Sequence, residues 1–275
     1  MLNFVHVYEM EIVGFVGALF MGLSLGLVGS GGAILTVPIL VYLFSIDTLL
    51  ATTYSLFMVG ITSLVGATVR AGSGNINWPM TFMFGVPSMI SVYVSRSVLL
   101  PLLPDVVFHT SYFILHKSLF LLLLFAILML IAAYSMIRNH DEHSELNDKN
   151  GQFNPWALIY KGLLVGIVTG FLGAGGGFLI IPALVLMART PMKKAVGTSL
   201  VIIAANSFMG FWRDYSLHHL IDWRFLLQFS TIAILGIMIG SALSHKISGD
   251  KLKPIFGYFI LLMGIYIIFK ELFLS

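Results

Sequence analysis

The chain has 275 residues, of which 58% are hydrophobic and only 10% are charged, and its mean hydropathy is +0.97. Soluble globular proteins carry roughly 25% charged residues, so this composition excludes a soluble fold and predicts an all-α polytopic protein of the cell membrane. The net charge of +3 is too small to indicate a nucleic-acid partner. The absence of cysteine excludes disulfides, iron–sulfur clusters and zinc–thiolate sites.

Apolar runs of helical length follow one another between charges, prolines and glycine clusters. No lysine or arginine precedes the first run, so the chain lacks the positive region of a cleaved signal peptide and we expect this run to be retained. In chain order the ten predicted segments are 12–28, 33–44, 48–69, 79–100, 108–137, 155–172, 177–188, 193–211, 225–243 and 253–273.

The two halves of the chain repeat each other. An offset of 144 residues aligns 26–70 with 170–214 without a gap and gives 13 identical pairs among 45, and an offset of 145 then pairs "INW" at 76–78 with "IDW" at 221–223. Composition alone would give roughly a tenth identical. We therefore predict an N-terminal membrane repeat at 1–137, a polar linker at 138–154 and a C-terminal membrane repeat at 155–275.

Each predicted repeat holds five segments, and this odd number makes the second repeat enter the membrane from the opposite side. Such inverted repeats are a common plan of secondary transporters. If the first two segments of each half were one long span, four segments would remain and the repeat would be parallel. The bias of lysine and arginine, ten against five, predicts that both termini lie outside the cell.

Glycine clusters interrupt the start of each repeat, as "GLVGSGG" at 26–32 and "GFLGAGGG" at 170–177. Glycine in a membrane segment lets helices approach closely, or it breaks the helix and frees backbone N–H groups at a new helix N-terminus. Adjacent glycines cannot all lie on one packing face, which favours the break. Two such breaks meeting near the midplane would bind an anion through N–H groups and helix dipoles.

At these residues the sequence resembles the TauE/SafE family of sulfite exporters, also described as the toluene-sulfonate uptake permease group. The motifs are "GLVGSGG", a proline and "ATTYS" in the first half, and "GFLGAGGGFLIIP" and "AVGTS" in the second. The resemblance covers nearly the whole chain. It implies a membrane carrier of sulfite, thiosulfate, sulfonates or related small anions, whose members differ in substrate and in direction of transport.

A polar stripe follows each glycine cluster and supplies the remaining candidate residues. Ser55 and Thr62 lie on one helical face with Arg70, and their counterparts are Ser199, Asn206 and Asp214. The predicted substrate-binding residues are Gly29, Ser30, Gly31, Gly32, Ser55, Thr62, Arg70, Gly173, Ala174, Gly175, Gly176, Gly177, Thr198, Ser199, Asn206 and Arg213.

Several of these polar residues have a second interpretation. Serine and threonine hydroxyls commonly bond the preceding turn of their own helix. Arg70 and Arg213 either bind an anion or anchor their helices at the membrane interface, and Arg213 and Asp214 could neutralise each other.

Three functional classes fit these features to different degrees. A secondary carrier of a small anionic sulfur compound fits best, because the "GxxxxGK[ST]" loop of an ATP-driven protein is absent. An anion channel would share the glycine breaks, and an intramembrane enzyme would need a nucleophile, metal cluster or acid pair that the sequence lacks. We therefore expect no enzymatic activity, no cofactor and no metal. A coupling ion, a proton or another, is left open because no carboxylate lies deep in a segment.

Overall fold

The structure, a computed structural model, describes residues 2–29, 31–110, 113–138, 155–173, 177–187, 190–216, 221–244 and 249–273. Ten helices lie in these ranges, five from each predicted repeat. The first helix of one repeat, α1, is therefore equivalent to α6, α2 is equivalent to α7, and so on to α5 and α10. They are α1 (Leu2–Val28), α2 (Gly31–Tyr42), α3 (Thr48–Ala71), α4 (Trp78–Val94), α5 (Lys117–Arg138), α6 (Pro155–Leu172), α7 (Gly177–Pro182), α8 (Met192–Tyr215), α9 (Trp223–Ser244) and α10 (Gly249–Phe273).

Two of these helices continue beyond their α-helical bounds. A π-helical turn at Ser95–Leu99 and a last turn at Leu100–Leu102 extend α4, and a π-helical turn at Ala183–Met187 extends α7. Within the described ranges, five helices are long and apolar enough to cross a membrane, namely α3, α4 with its extension, α5, α8 and α9. Shorter apolar helices lie at Ile12–Val28, Gly32–Tyr42 and Trp156–Leu172. The chain is an all-α, multi-pass membrane protein.

The prediction for the fifth segment is wrong at its start. Residues 106–116 hold an antiparallel pair of strands, β1 (Val106–Thr110) and β2 (Phe113–His116), and α5 begins only at Lys117. The strands are rich in valine, phenylalanine and isoleucine, which favour extended backbone. The first helix is longer than the predicted segment 12–28, since α1 begins at Leu2.

The equivalent helices α3 and α8 cross antiparallel at the centre of the bundle. Gly60 of α3 lies against Ser207 of α8, and Gly66 lies against Leu200, so numbers rise along one helix as they fall along the other. Antiparallel equivalents are what an inverted repeat requires, and the parallel alternative is wrong. These two helices are also the most buried of the five long spans. The exact bounds of the two repeats and of the linker stay a prediction.

The remaining contacts occur in equivalent pairs. In α1, Gly22 and Gly26 approach the backbone of α9, and the equivalent Gly166 and Gly170 of α6 approach α4 in the same way. These glycines are spaced four residues apart, and no side chain holds the two helices apart. Each half therefore packs its first helix against the fourth helix of the other half.

Two hydrogen bonds at the helix starts repeat the same symmetry. The backbone N–H of Asn77 donates to the hydroxyl of Thr198 at 2.9 Å, and the backbone N–H of Asp222 donates to the hydroxyl of Tyr54 at 2.9 Å. Tyr54 and Thr198 are equivalent residues, as are Asn77 and Asp222. The inverted symmetry thus extends from the helix axes to single hydrogen bonds.

Cysteine cross-linking tests the antiparallel crossing, and the chain has no cysteine of its own to interfere. A Cβ added at Gly60 would lie 3.2 Å from that of Ser207, close to the roughly 3.5–4.5 Å that a disulfide spans. We expect Gly60→Cys with Ser207→Cys to form a disulfide in native membranes under mild oxidation, seen as a shift in gel mobility after proteolysis in the 138–154 linker. Gly60→Cys with Leu200→Cys should stay unlinked, and the opposite pattern would contradict the crossing.

Candidate functional site

Both glycine clusters end a helix, as predicted. Gly29 and Gly173 adopt positive φ values of 83° and 67°, a conformation that only glycine takes readily. Their N–H groups still donate to Leu25 and Thr169, at 2.7 and 3.2 Å, which closes the last turn of α1 and of α6. The breaks are confirmed at these two glycines.

The rest of the two clusters is divided between helix and undescribed chain. Gly31 and Gly32 already belong to α2 and Gly177 to α7, so the first break is narrower than 29–32. Of the predicted site, Ser30, Ala174, Gly175 and Gly176 lie outside the described residues.

The two breaks do not meet at the midplane, and that prediction is wrong. Gly29 lies against Val196 near the start of α8, and Gly173 lies against the equivalent Thr52 near the start of α3. Because α3 and α8 are antiparallel, these starts are at opposite ends of the pair, separated by about 27 Å along the helix axis. The reason is that α1 and α6 run the length of the bundle before they break, so each hairpin tip reaches one end.

A buried arginine lies beside each hairpin tip. At the first tip, Arg70 of α3 is 3% exposed, and its Nη2 donates to the carbonyl of Gly26 at 2.9 Å and to the hydroxyl of Ser244 at 2.5 Å. Its Nε has no hydrogen-bond partner among the described residues. We call this the Arg70 end of the bundle. Arg70 is thus buried against α1 and α9 at the end of α3.

At the second tip the arginine comes from a different helix. Arg96, in the π-helical extension of α4, donates from Nε to the carbonyl of Gly170 at 3.1 Å and from Nη2 to the hydroxyl of Thr52 at 3.1 Å. Its Nη1 forms an ion pair with the carboxylate of Asp214, which also accepts from the hydroxyl of Thr53 at 2.8 Å. We call this the Arg96 end. Gly26 and Gly170 are equivalent, so both arginines bind the same carbonyl position.

The ion pair corrects the expectation for Arg213. Asp214 is paired with Arg96, whereas Arg213 donates to the hydroxyl of Ser97 at 2.8 Å and is half-buried. Arg213 therefore lies at the rim of the Arg96 end, on the outer side of the pair. It is not brought together with Arg70, which is at the opposite end.

Between the two ends, the crossing helices α3 and α8 carry buried hydroxyl and amide groups that have no partner among the described residues. The side-chain oxygens of Ser55, Ser63, Asn206 and Ser207 are buried and have no hydrogen-bond partner among the described residues. We call these four residues the polar seam. The amide nitrogen of Asn206 donates to Ser88 of α4 at 2.8 Å, which leaves its oxygen available. Buried polar atoms are rarely unpaired unless water, an ion or a ligand supplies the partner.

Other predicted hydroxyls already have partners and do not belong to the seam. Thr62 donates to the carbonyl of Met58 at 2.6 Å, and Ser199 donates to that of Val196 at 2.9 Å. Thr198 accepts from the loop before α4. Thr62 and Ser199 thus bond the preceding turn of their own helix, whereas Thr198 bonds a different segment. The hydroxyl of Ser63 has no hydrogen-bond partner among the described residues.

Two of the groups at these ends were missed in the sequence. Arg96 lay in a predicted span but was counted only as a loop charge, and Ser244 was not singled out. The available signal was the repeat itself, because position 96 is equivalent to Ser241, so an arginine replaces a small residue there.

An apolar groove between α4 and α8, lined by Met89, Tyr93, Ala205, Phe208, Met209 and Trp212, lies on the lipid-facing side, where Trp212 is 72% exposed.

A double-mutant cycle tests the buried ion pair. Arg96→Leu should destabilise the protein by about 3–5 kcal/mol, because it leaves the carboxylate of Asp214 buried without its counter-charge. Arg96→Leu with Asp214→Leu should cost less than the sum of the single changes, since no buried charge remains. The measurement is the unfolding free energy in detergent, and simple additivity of the two changes would contradict the pairing.

Comparison with known proteins agrees with this architecture. The sequence model of a family described as "Sulfite exporter TauE/SafE" matches residues 14–267. A probable membrane transporter protein of Xylella fastidiosa is 27% identical over 91% of this chain and 92% of its own length. The probable membrane transporter proteins MJ0441 of Methanocaldococcus jannaschii and YunE of Bacillus subtilis are 28% and 27% identical, each over 94% of this chain and over 92% and 99% of their own lengths. No solved structure matches.

These relatives are named as transporters and not as enzymes. The family match spans both hairpins, both buried arginines and the polar seam. The chain therefore belongs to the sulfite exporter TauE/SafE family and is a membrane transporter.

Proposed function

We propose that the protein is a secondary transporter that moves a small sulfur-containing anion, such as sulfite, thiosulfate or an organosulfonate, along the polar seam. The observation that carries this proposal is the run of unpartnered, buried oxygens of Ser55, Ser63, Asn206 and Ser207 at the centre of an apolar bundle. Polar groups at this depth are costly unless they face a pathway or a bound ligand. Hydroxyl and amide groups can bind an oxyanion loosely enough for it to leave again.

A carrier fits the geometry better than a channel, because the seam is closed at both ends. At the Arg96 end, the ion pair with Asp214 lies beside packed aromatic rings, with Phe57 and Phe211 at 5.1 Å and Phe57 and Trp223 at 5.6 Å between centroids. At the Arg70 end, the guanidinium bridges α1 and α9. Opening one end at a time is the mode of transport that inverted repeats support.

The sulfur chemistry of the substrate is proposed from the family description, and the anionic charge is supported by the side chains. Among the described residues, a buried arginine lies at each end, Arg70 at one and Arg96 at the other. The one buried carboxylate among them, that of Asp214, is paired with Arg96. An anion passing either end would therefore meet a guanidinium. Because Asp214 neutralises Arg96, the uncompensated positive charge lies at the Arg70 end, where a cation would be repelled.

Transport by purified protein tests this function directly. Proteoliposomes loaded with unlabelled thiosulfate should accumulate external ³⁵S-thiosulfate by counterflow, and the uptake should saturate. Empty liposomes and liposomes preloaded with choline chloride serve as controls. Uptake that rises linearly with concentration, without counterflow, would favour a channel, and uptake of none of sulfite, thiosulfate and methanesulfonate would reject the substrate class.

Substitution in the polar seam tests the pathway. Asn206→Leu removes the amide of Asn206, whose oxygen has no partner among the described residues, and should lower the transport rate about tenfold or more. The reason is that a hydrogen bond to a charged group is worth about 1.5–3 kcal/mol. Thr169→Val is the matched control, since the hydroxyl of Thr169 is buried but bonds the carbonyl of Val165 in its own helix. Equal transport by both variants would place the pathway elsewhere.

A further inference from the structure

The two ends of the bundle compensate their buried arginine differently. Arg96 has a carboxylate beside it, that of Asp214. Arg70, equally buried at 3% exposure, has no carboxylate within ion-pair distance in the part of the chain that the structure describes, and both of its acceptors are neutral. A buried guanidinium without a counter-charge is costly in a low-dielectric bundle.

The repeat shows where the missing counter-charge belongs. Arg70 occupies the position equivalent to Asp214, and Ser241 occupies the position equivalent to Arg96, so arginine stands on α3 at one end and on α4 at the other. The hydroxyl of Ser241 is buried and lacks a partner among the described residues, as does Nε of Arg70. The Arg70 end thus has Ser241 and two polar atoms without partners, the Ser241 hydroxyl oxygen and Arg70 Nε, where the Arg96 end has a complete ion pair.

We propose that Arg70 binds the transported oxyanion, which serves as the counter-charge that the carboxylate of Asp214 provides for Arg96 at the opposite end. This assignment rests on the proposed function and names the group that receives its substrate. The anion would accept from Nε of Arg70 and from the hydroxyl of Ser241, and the hydroxyl of Ser244 would turn to it from the carbonyl of Ser241, to which it donates at 2.7 Å. Ser244 already lies 2.5 Å from Nη2 and belongs to the same helix turn as Ser241.

The guanidinium is suited to this role because its planar N–H groups match the spacing of two oxygens on one sulfur or carbon atom. Capping the end of α1 does not account for Arg70 by itself. That cap uses Nη2 alone, through the carbonyl of Gly26, and leaves Nε without a partner. Carboxylates share this chemistry with sulfur oxyanions, so the experiment compares the two kinds of anion.

Anion binding by purified protein in detergent tests the assignment separately from transport. Isothermal titration with sodium thiosulfate, sodium methanesulfonate and sodium acetate gives the affinities of the wild-type protein. Arg70→Gln should weaken the tightest of these interactions by about 10- to 100-fold. Arg224→Gln is the control for loss of one positive charge, because Arg224 is exposed on α9. It should bind as the wild-type protein does.

A second pair of variants keeps Arg70 and changes only its surroundings. Ser244→Asp places a carboxylate beside the guanidinium and should weaken anion binding to the same degree without lowering the unfolding midpoint, because it supplies the counter-charge from within. Ser244→Asn has nearly the same shape without the charge, and should bind the anion more tightly than Ser244→Asp.

The outcomes separate the two proposals. Loss of binding in Arg70→Gln and Ser244→Asp, but not in Arg224→Gln, supports the site. Wild-type affinity in Arg70→Gln or in Ser244→Asp overturns it, while thiosulfate counterflow by the same preparations would leave the proposed function intact. Arg70-dependent binding of acetate but of neither sulfur anion would keep the site and overturn the sulfur substrate. No binding of any of the three anions by the wild-type protein would overturn the site.

Discussion

Carbonyl groups at the tip of each helical hairpin need donors where water is scarce, and this requirement fixes the positions of the two buried arginines. A helix that ends inside a bilayer leaves several carbonyls without partners. The carbonyls of Gly26 and Gly170 lie three residues before glycines of positive φ, and each accepts from a guanidinium of a neighbouring helix. In both halves a guanidinium binds that carbonyl, so each hairpin is held to the centre of the bundle at one end.

The small residues of α1 and α6 follow from the same constraint. For an arginine on α3 or α4 to reach the tip, the hairpin must pack closely against the fourth helix of the other half. Gly22 and Gly166, at equivalent positions, make this approach because their hydrogens replace a Cβ that would overlap backbone atoms of α9 and α4. Close packing of the hairpins then leaves α3 and α8 enclosed in the middle, and the seam between them is screened from lipid.

Much of this architecture was predictable from the sequence, because the repeat and the glycine clusters are local patterns. The helix count, the breaks at Gly29 and Gly173 and the antiparallel relation of the halves all follow from them. The position of the breaks along the bundle could not be predicted. It depends on how far α1 extends before its break, and apolar composition does not show where α1 meets the membrane surface. The partner of Asp214 was also hidden, because Arg96 is distant in sequence and reaches it only after α4 packs beside α8. The polar seam was half predicted: Ser55 and Asn206 were named, but which hydroxyls bond their own helix depends on rotamers that spacing does not determine.

The difference between the two ends gives the inverted repeat a direction. Perfect symmetry would make both ends equal in energy, and a transporter built that way would have no preferred resting state. Here Asp214 neutralises Arg96 from within, and aromatic rings including Phe57 and Trp223 pack beside it, so that end is closed by interactions that need no substrate. At the Arg70 end the guanidinium bonds, among the described residues, only a neutral carbonyl and a neutral hydroxyl, and in our proposal the oxyanion adds the counter-charge that is lacking there. A ligand shifts a conformational equilibrium only by its difference in affinity for the two states. An anion that binds Arg70 more tightly when that end opens therefore favours opening there. The two ends are alike in backbone, but their different residues make them respond differently to substrate.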